Sequence, residues 1–273
     1  MFNNKIGVIY SLDECLNKGV DGLLELGLDS IQLKCWNFDL MTDENAKKVK
    51  EICDGKIEIT SMWCGWTGPV VWDMIDGPFT LGIVPPDYRM QRVNDLKRGA
   101  DFAEKIGVKY MATHAGFIPE HPSYPEYRSI VVALKNIVIY CNNKDICFTF
   151  ETGQETPITL MRLIMDIGYD TGVNFDPANL ILYGRGNPVD AIDIYGKYIK
   201  GVHIKDGDYS TDFNKIGAER VVGEGSVNFP VFLPKLLKSG YNGDLYIERE
   251  ISGEQQMIDI KNTIVYIKNL MLD

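Results

Sequence analysis

Eight short runs rich in Ile, Val, Phe, Tyr and Thr alternate with eight segments whose apolar residues recur every three to four positions. The runs span residues 5–11, 30–36, 57–64, 109–115, 146–152, 172–177, 199–206 and 243–248. The segments between them span 12–26, 43–53, 87–106, 124–142, 157–167, 188–195, 229–239 and 254–271. The runs are largely apolar throughout, as strands covered on both faces are, whereas the segments carry the stripe of amphipathic helices. Thr156 before Pro157 reads as an N-cap with proline at the first helical position, and Gly107, Gly168 and Gly240 read as helix C-termini. Strict alternation predicts a (β/α)8 barrel; an open doubly wound sheet is the alternative, because counting strands does not establish closure. The 273 residues suit one such barrel, and no low-complexity linker divides them, so 1–273 is expected to be a single domain.

Charge narrows the classes of partner. A formal net charge of −10 disfavours long-range attraction to a phosphate backbone, so no nucleic-acid partner is expected. The six cysteines form no CxxC pair and read as reduced thiols. No apolar run reaches the ~18 residues of a membrane span, and the first strand begins almost at once, with no leader before it. A cytoplasmic protein without membrane contact is the expectation.

Four metal-type side chains close four successive strand runs: Glu151 in FTFETG, Asp176 in VNFDPAN, His203 in VHIKDG and Glu248 in LYIERE. Each has a plain alternative: a salt bridge or cap for Glu151, an Asp-Pro turn for Asp176, a structural imidazole for His203 and a surface ion pair for Glu248. On strands five to eight of a barrel, however, they share one side of the mouth, where catalytic groups of this fold gather. Three carboxylates crowded together need a cation, and oxygen-rich ligation with one imidazole favours Mn²⁺ or Mg²⁺, with Zn²⁺ and Co²⁺ as alternatives.

The motifs FETGQE, FDPANL, HIKDGD, VGEGSVNFP and YIERE, in that order, resemble the xylose isomerase-like TIM-barrel superfamily of sugar-phosphate isomerases and epimerases. The resemblance covers nearly the whole chain. It implies that Glu151, Asp176, His203 and Glu248 bind one divalent metal, Mn²⁺ first, and that Glu151 and Glu248 also move protons. It further implies a sugar or sugar-phosphate substrate, with proton abstraction next to a carbonyl and a metal-stabilised enediolate. His114, Glu155, Asn179 and Lys205 are candidate substrate-binding residues, with Gln154 beside Glu155, and Trp36, Trp63 and Trp66 are candidates for an apolar wall. Lys205 pairing with Asp206 is its bland alternative. Asn179 stands where ketose epimerases of the family carry a histidine, so the resemblance does not extend to the precise substrate of those enzymes. Glu224 in GEGSVNF is expected to shape its loop.

Two competing activities belong to the same superfamily. An inosose-type dehydratase begins with the same proton abstraction and then expels a hydroxyl. An endonuclease-type phosphodiesterase needs a cluster of metals and more histidines than the three in this chain. Two long loops, 65–86 and 207–230, leave the expected C-terminal ends of strands, where substrate-contacting loops belong. Barrels of this kind often pair, so a homodimer in which the aromatic-rich 65–86 loop takes part is a further expectation.

Overall fold

The computed structural model describes residues 4–272. Eight parallel strands close into a barrel: β1 (Ile6–Ser11), β2 (Ser30–Cys35), β3 (Glu58–Cys64), β4 (Tyr110–His114), β5 (Cys147–Glu151), β6 (Thr171–Phe175), β7 (Ile199–Ile204) and β8 (Leu245–Ile247). Each strand pairs with the next in chain order, and β8 returns to β1 through Ile6↔Leu245 and Val8↔Ile247. Closure settles the choice between barrel and open sheet. Helices on the outside cover the strands, and the core between the two layers is built from residues such as Ile31, Leu33, Phe148, Phe150, Val173 and Val202. That explains why the strands read as continuous apolar runs: one face meets the helices and the other fills the barrel.

Several expected elements need correction. The helix expected over 12–26 is two, Leu12–Lys18 and Asp21–Glu25, because Gly19 adopts φ 70° and caps the first. Asp176 opens a short helix, Pro177–Leu182, that the apolar pattern did not separate from the strand before it. The 65–86 loop contains a helical turn, Gly77–Thr80. The 207–230 loop contains a hairpin of Asp206–Asp208 with Ala218–Arg220.

Both long loops are pinned from below. Arg92, fully buried, donates to the carbonyls of Thr67, Pro69, Thr80 and Gly82 at 2.7–3.2 Å. Arg89, one turn earlier on the helix Pro86–Ile106, donates to the carbonyls of Ile83 and Val84. The Asp206 carboxylate accepts from the backbone N–H groups of Gly207, Gly223, Gly225 and Val227 at 2.9–3.1 Å. It is thus Asp206 that shapes the second loop; Glu224 is exposed to solvent. Among the described residues no helix is long and apolar enough to cross a membrane. All six cysteines are buried and free.

Candidate metal centre

The barrel brings the four strand-end residues together. Glu151 is the last residue of β5, Asp176 and Glu248 each follow their strand by one residue, and His203 is the penultimate residue of β7. One ligand-type atom from each lies within 4.8 Å of every other. His203 Nδ1 is the hub: it stands 3.4 Å from Glu151 Oε1, 3.6 Å from Asp176 Oδ2 and 3.2 Å from Glu248 Oε2.

Local structure decides which atoms face this point. Asp176 caps the helix Pro177–Leu182, its Oδ1 accepting from the Asn179 backbone N–H at 3.0 Å, which leaves Oδ2 buried without a hydrogen-bond partner. His203 Nε2 lies 2.8 Å from Gln32 Oε1 and 2.8 Å from the Asn174 amide nitrogen. A carbonyl oxygen only accepts, so the Gln32 contact calls for a proton on Nε2, which leaves the Nδ1 lone pair to the cluster and the Asn174 amide without an acceptor at this nitrogen. Gln32 is itself held, donating to Ser61 Oγ at 3.2 Å and Asn174 Oδ1 at 3.1 Å. Metal-binding imidazoles are usually fixed by such a hydrogen bond on the far nitrogen. Two register shifts lie at this support: β2 to β3 slips beside Gln32, and β6 to β7 slips beside Asn174. Each slip adds a residue on the neighbouring strand and re-aims side chains at that level. Gly201 adds the necessary room, since a Cβ there would stand 2.6 Å from Asn174 Oδ1.

The buried charges fit a cation. Burial alone would lower the His203 pKa, yet Glu151 and Glu248 beside it hold it well above the ordinary histidine value. The carboxylates that favour a proton on this ring equally favour a divalent ion. Burial would raise the Glu248 carboxyl, but the Lys205 ammonium and then His203 hold it well below the usual range. An imidazole nitrogen and a carboxylate oxygen, both without a hydrogen-bond partner, and two further carboxylates make a hard, oxygen-rich donor set that could hold a divalent cation.

Above this floor opens a cavity of about 270 Å³, near the lower end of ordinary ligand pockets. Glu151 and Glu248 line it, together with His114, Asn179, Lys205, Trp36 and Trp63. Asp176 and His203 are 0% exposed and lie beneath. His114 Nε2 lies 3.4 Å from Glu151 Oε1, and Asn179 Nδ2 donates to the same oxygen at 3.3 Å. Trp63 lends more than an apolar face, because its Nε1–H donates to Glu151 Oε2. Trp36 packs on Trp63 at 5.1 Å between ring centroids; Trp66 is buried behind both, at 5.3 and 6.1 Å.

Other expected residues take different positions. Lys205 does not pair with Asp206. Its Nζ lies 3.3 Å from Glu248 Oε2, 3.2 Å from Glu250 Oε1 and 3.7 Å from Asp176 Oδ2. Glu155 does not line the cavity: it is 1% exposed, neither carboxyl oxygen has a hydrogen-bond partner, and burial pushes its pKa up to about 8. Gln154 is likewise buried, with both amide atoms unpartnered.

Sequence reasoning missed Lys34, Trp72, Tyr183 and Glu250 in the cavity wall, and Gln32 and Asn174 beneath it. Gln32 and Lys34 did leave a signal: polar residues two apart in an apolar strand share a face, and a face with such residues is seldom pure core. Trp72 sits mid-loop, and only the folded path places its ring 5.2 Å from His114.

A family model described as xylose isomerase-like TIM barrel matches residues 20–265. A crystal structure of a xylose isomerase domain protein from Planctomyces limnophilus superposes with a TM-score of 0.90 and 30% identity, covering 98% of this chain and 96% of that one. A D-tagatose 3-epimerase-like protein superposes with a TM-score of 0.75 and 23% identity, covering 98% and 97%. A xylose isomerase-like TIM-barrel protein from Mycobacterium smegmatis, crystallised with magnesium, superposes with a TM-score of 0.69 and 18% identity, covering 98% and 96%.

Proposed function

The chain belongs to the xylose isomerase-like TIM-barrel family, and from that premise we propose that it is a divalent-metal-dependent isomerase or epimerase of a sugar or sugar phosphate. We take 1–273 as one functional domain, working in the cytoplasm, with Glu151, Asp176, His203 and Glu248 as the ligands of one cation. The epimerase-like name of one similar structure and the magnesium in another support this reading. Mn²⁺ is the expected ion, with Mg²⁺, Co²⁺ and Zn²⁺ as alternatives.

One observation carries the proposal. Of the four donor residues, only the two glutamates reach the cavity, while Asp176 and His203 are sealed below it. That gives a division of labour: Asp176 and His203 hold, whereas Glu151 and Glu248 hold and also meet substrate. A bound divalent cation supplies Lewis-acid stabilisation to negative charge developing on substrate oxygens and orients them. Glu151 and Glu248 are placed to remove a proton from a carbon next to a carbonyl and to return one. Trp63 and Asn179 fix the Glu151 carboxylate from two sides, so a reacting carbon meets an oriented base. Lys205 keeps Glu248 ionised, as a base must be. The Trp36 and Trp63 faces shield the site from water and offer an apolar surface to a sugar ring.

The test is incorporation of solvent deuterium into free and phosphorylated ketoses by the Mn²⁺-loaded protein. Glu151→Gln and Glu248→Gln are each expected to lower exchange by at least about 10³-fold. Full exchange in either variant sinks the two-glutamate mechanism.

A further inference from the structure

The cavity contains two lysines in opposite circumstances. Lys205 is 2% exposed and engaged by Asp176, Glu248 and Glu250. Lys34 lines the same cavity, half-buried, with no carboxylate within 4.0 Å among the described residues. Its direction follows from its strand. Gln32, two residues earlier on β2, points to the barrel axis and bonds His203, and alternation puts Lys34 on the same face one layer higher. Trp36 continues the column, so Gln32, Lys34 and Trp36 run from beneath the metal centre to the cavity wall.

Lys34 lies near enough to Glu248 and Glu14 to help hold both carboxyls down, but it is in direct contact with neither. Lys205 and a divalent cation offset the carboxylates of Glu151, Asp176 and Glu248. Glu250, which also pairs with Lys205, has its side chain 58% exposed at the rim. Lys34 therefore presents a positive charge to the cavity, with Ile9 and Trp36 also in the wall. Among the described residues no arginine lines the cavity, so there is no fork to grip a phosphate dianion. One compact ammonium matches one carboxylate.

We infer that Lys34 binds a carboxylate of the substrate, which makes the substrate a sugar acid: a hydroxylated chain with its carbonyl at the metal end and its carboxylate on Lys34. This rests on the proton-transfer reading above and narrows its substrate class. It also replaces Lys205, whose charge is consumed inside the protein, as the residue that recognises an anion.

The test uses the Mn²⁺-loaded protein with the four D-2-ketohexoses, their 6-phosphates and the matching ketohexuronates. Calorimetric binding is measured for wild type, Lys34→Gln and Lys34→Arg, with metal content and thermal midpoint as folding controls. At least one uronate is expected to bind about ten-fold or more tighter than its neutral ketose, which is about 1.4 kcal/mol. Lys34→Gln should close that gap and Lys34→Arg should keep most of it. A gap that survives Lys34→Gln means that the carboxylate sits on the metal, and overturns the assignment. Preference for the 6-phosphates overturns it in favour of phosphate, and weak binding of every uronate overturns it whether or not neutral ketoses exchange. Deuterium exchange is scored separately: a uronate that binds through Lys34 without exchanging refutes the reaction and leaves the recognition standing.

Discussion

Gln32 Oε1, 2.8 Å from His203 Nε2, fixes which imidazole nitrogen is left for a cation. The consequence is measurable without any substrate. Gln32→Leu keeps the volume and removes the acceptor, so metal affinity is expected to fall about 10- to 100-fold by chelator competition. Unchanged affinity would reduce Gln32 to packing. Glu155 gives a prediction of another kind. Its carboxyl is raised to about 8 in the folded protein, above its unfolded value near 4.5. The folded state then holds a proton that the unfolded state has lost between those values, and stability falls as pH rises through that window. Glu155→Gln removes this dependence. By pH 9 it should be more stable than wild type by a few kcal/mol, on the order of 1.4 kcal/mol for each pH unit that separates the two values. Thermal denaturation from pH 5 to 9 checks it; parallel curves for the two proteins would show that Glu155 is already ionised in the fold.

At the scale of elements, the eight strands and the residues at their ends were legible because hydrophobic periodicity and chain order carry them. Glu151, Asp176, His203 and Glu248 converge as expected because neighbours in a parallel barrel follow one another in sequence. Three things were not legible. The slips beside Gln32 and Asn174 arise from one extra residue in the neighbouring strand, which no period reveals. The break at Gly19 depends on a left-handed backbone that competes with a continuous apolar stripe. The partners of Lys205 come from the ends of β6 and β8, distant in sequence, so its neighbour Asp206 was the one alternative partner in view. The pinning of the 65–86 loop was equally hidden. Arg92→Ala removes four hydrogen bonds made by a buried charge. The loss should be at least ~3 kcal/mol and should expose residues 65–86 to limited proteolysis. A variant as resistant as wild type would show that the loop holds itself.

For the whole molecule, the candidate metal centre joins four strands that span 98 positions of sequence, from Glu151 to Glu248, both ends counted. A cation bound there links half of the barrel and stabilises only the folded form. At a free concentration 100 times its Kd it should add about 2.7 kcal/mol. For a chain of this size that is a rise of roughly 5–10 °C in Tm, reversed by a chelator. No shift with Mn²⁺, Mg²⁺, Co²⁺ or Zn²⁺ would remove the metal from the account. The two arginines beneath the first loop bear on a longer timescale. Arg89 and Arg92 grip residues 67–84 by their main-chain carbonyls and by none of their side chains. A clamp that is blind to side chains leaves them free to drift, except where they hold the loop themselves, as Thr67, Asp73 and Thr80 do through their own hydrogen bonds. Trp72 and other such side chains can be exchanged by mutation while the path of the loop is kept, so this barrel can acquire a new substrate preference at little cost to its fold.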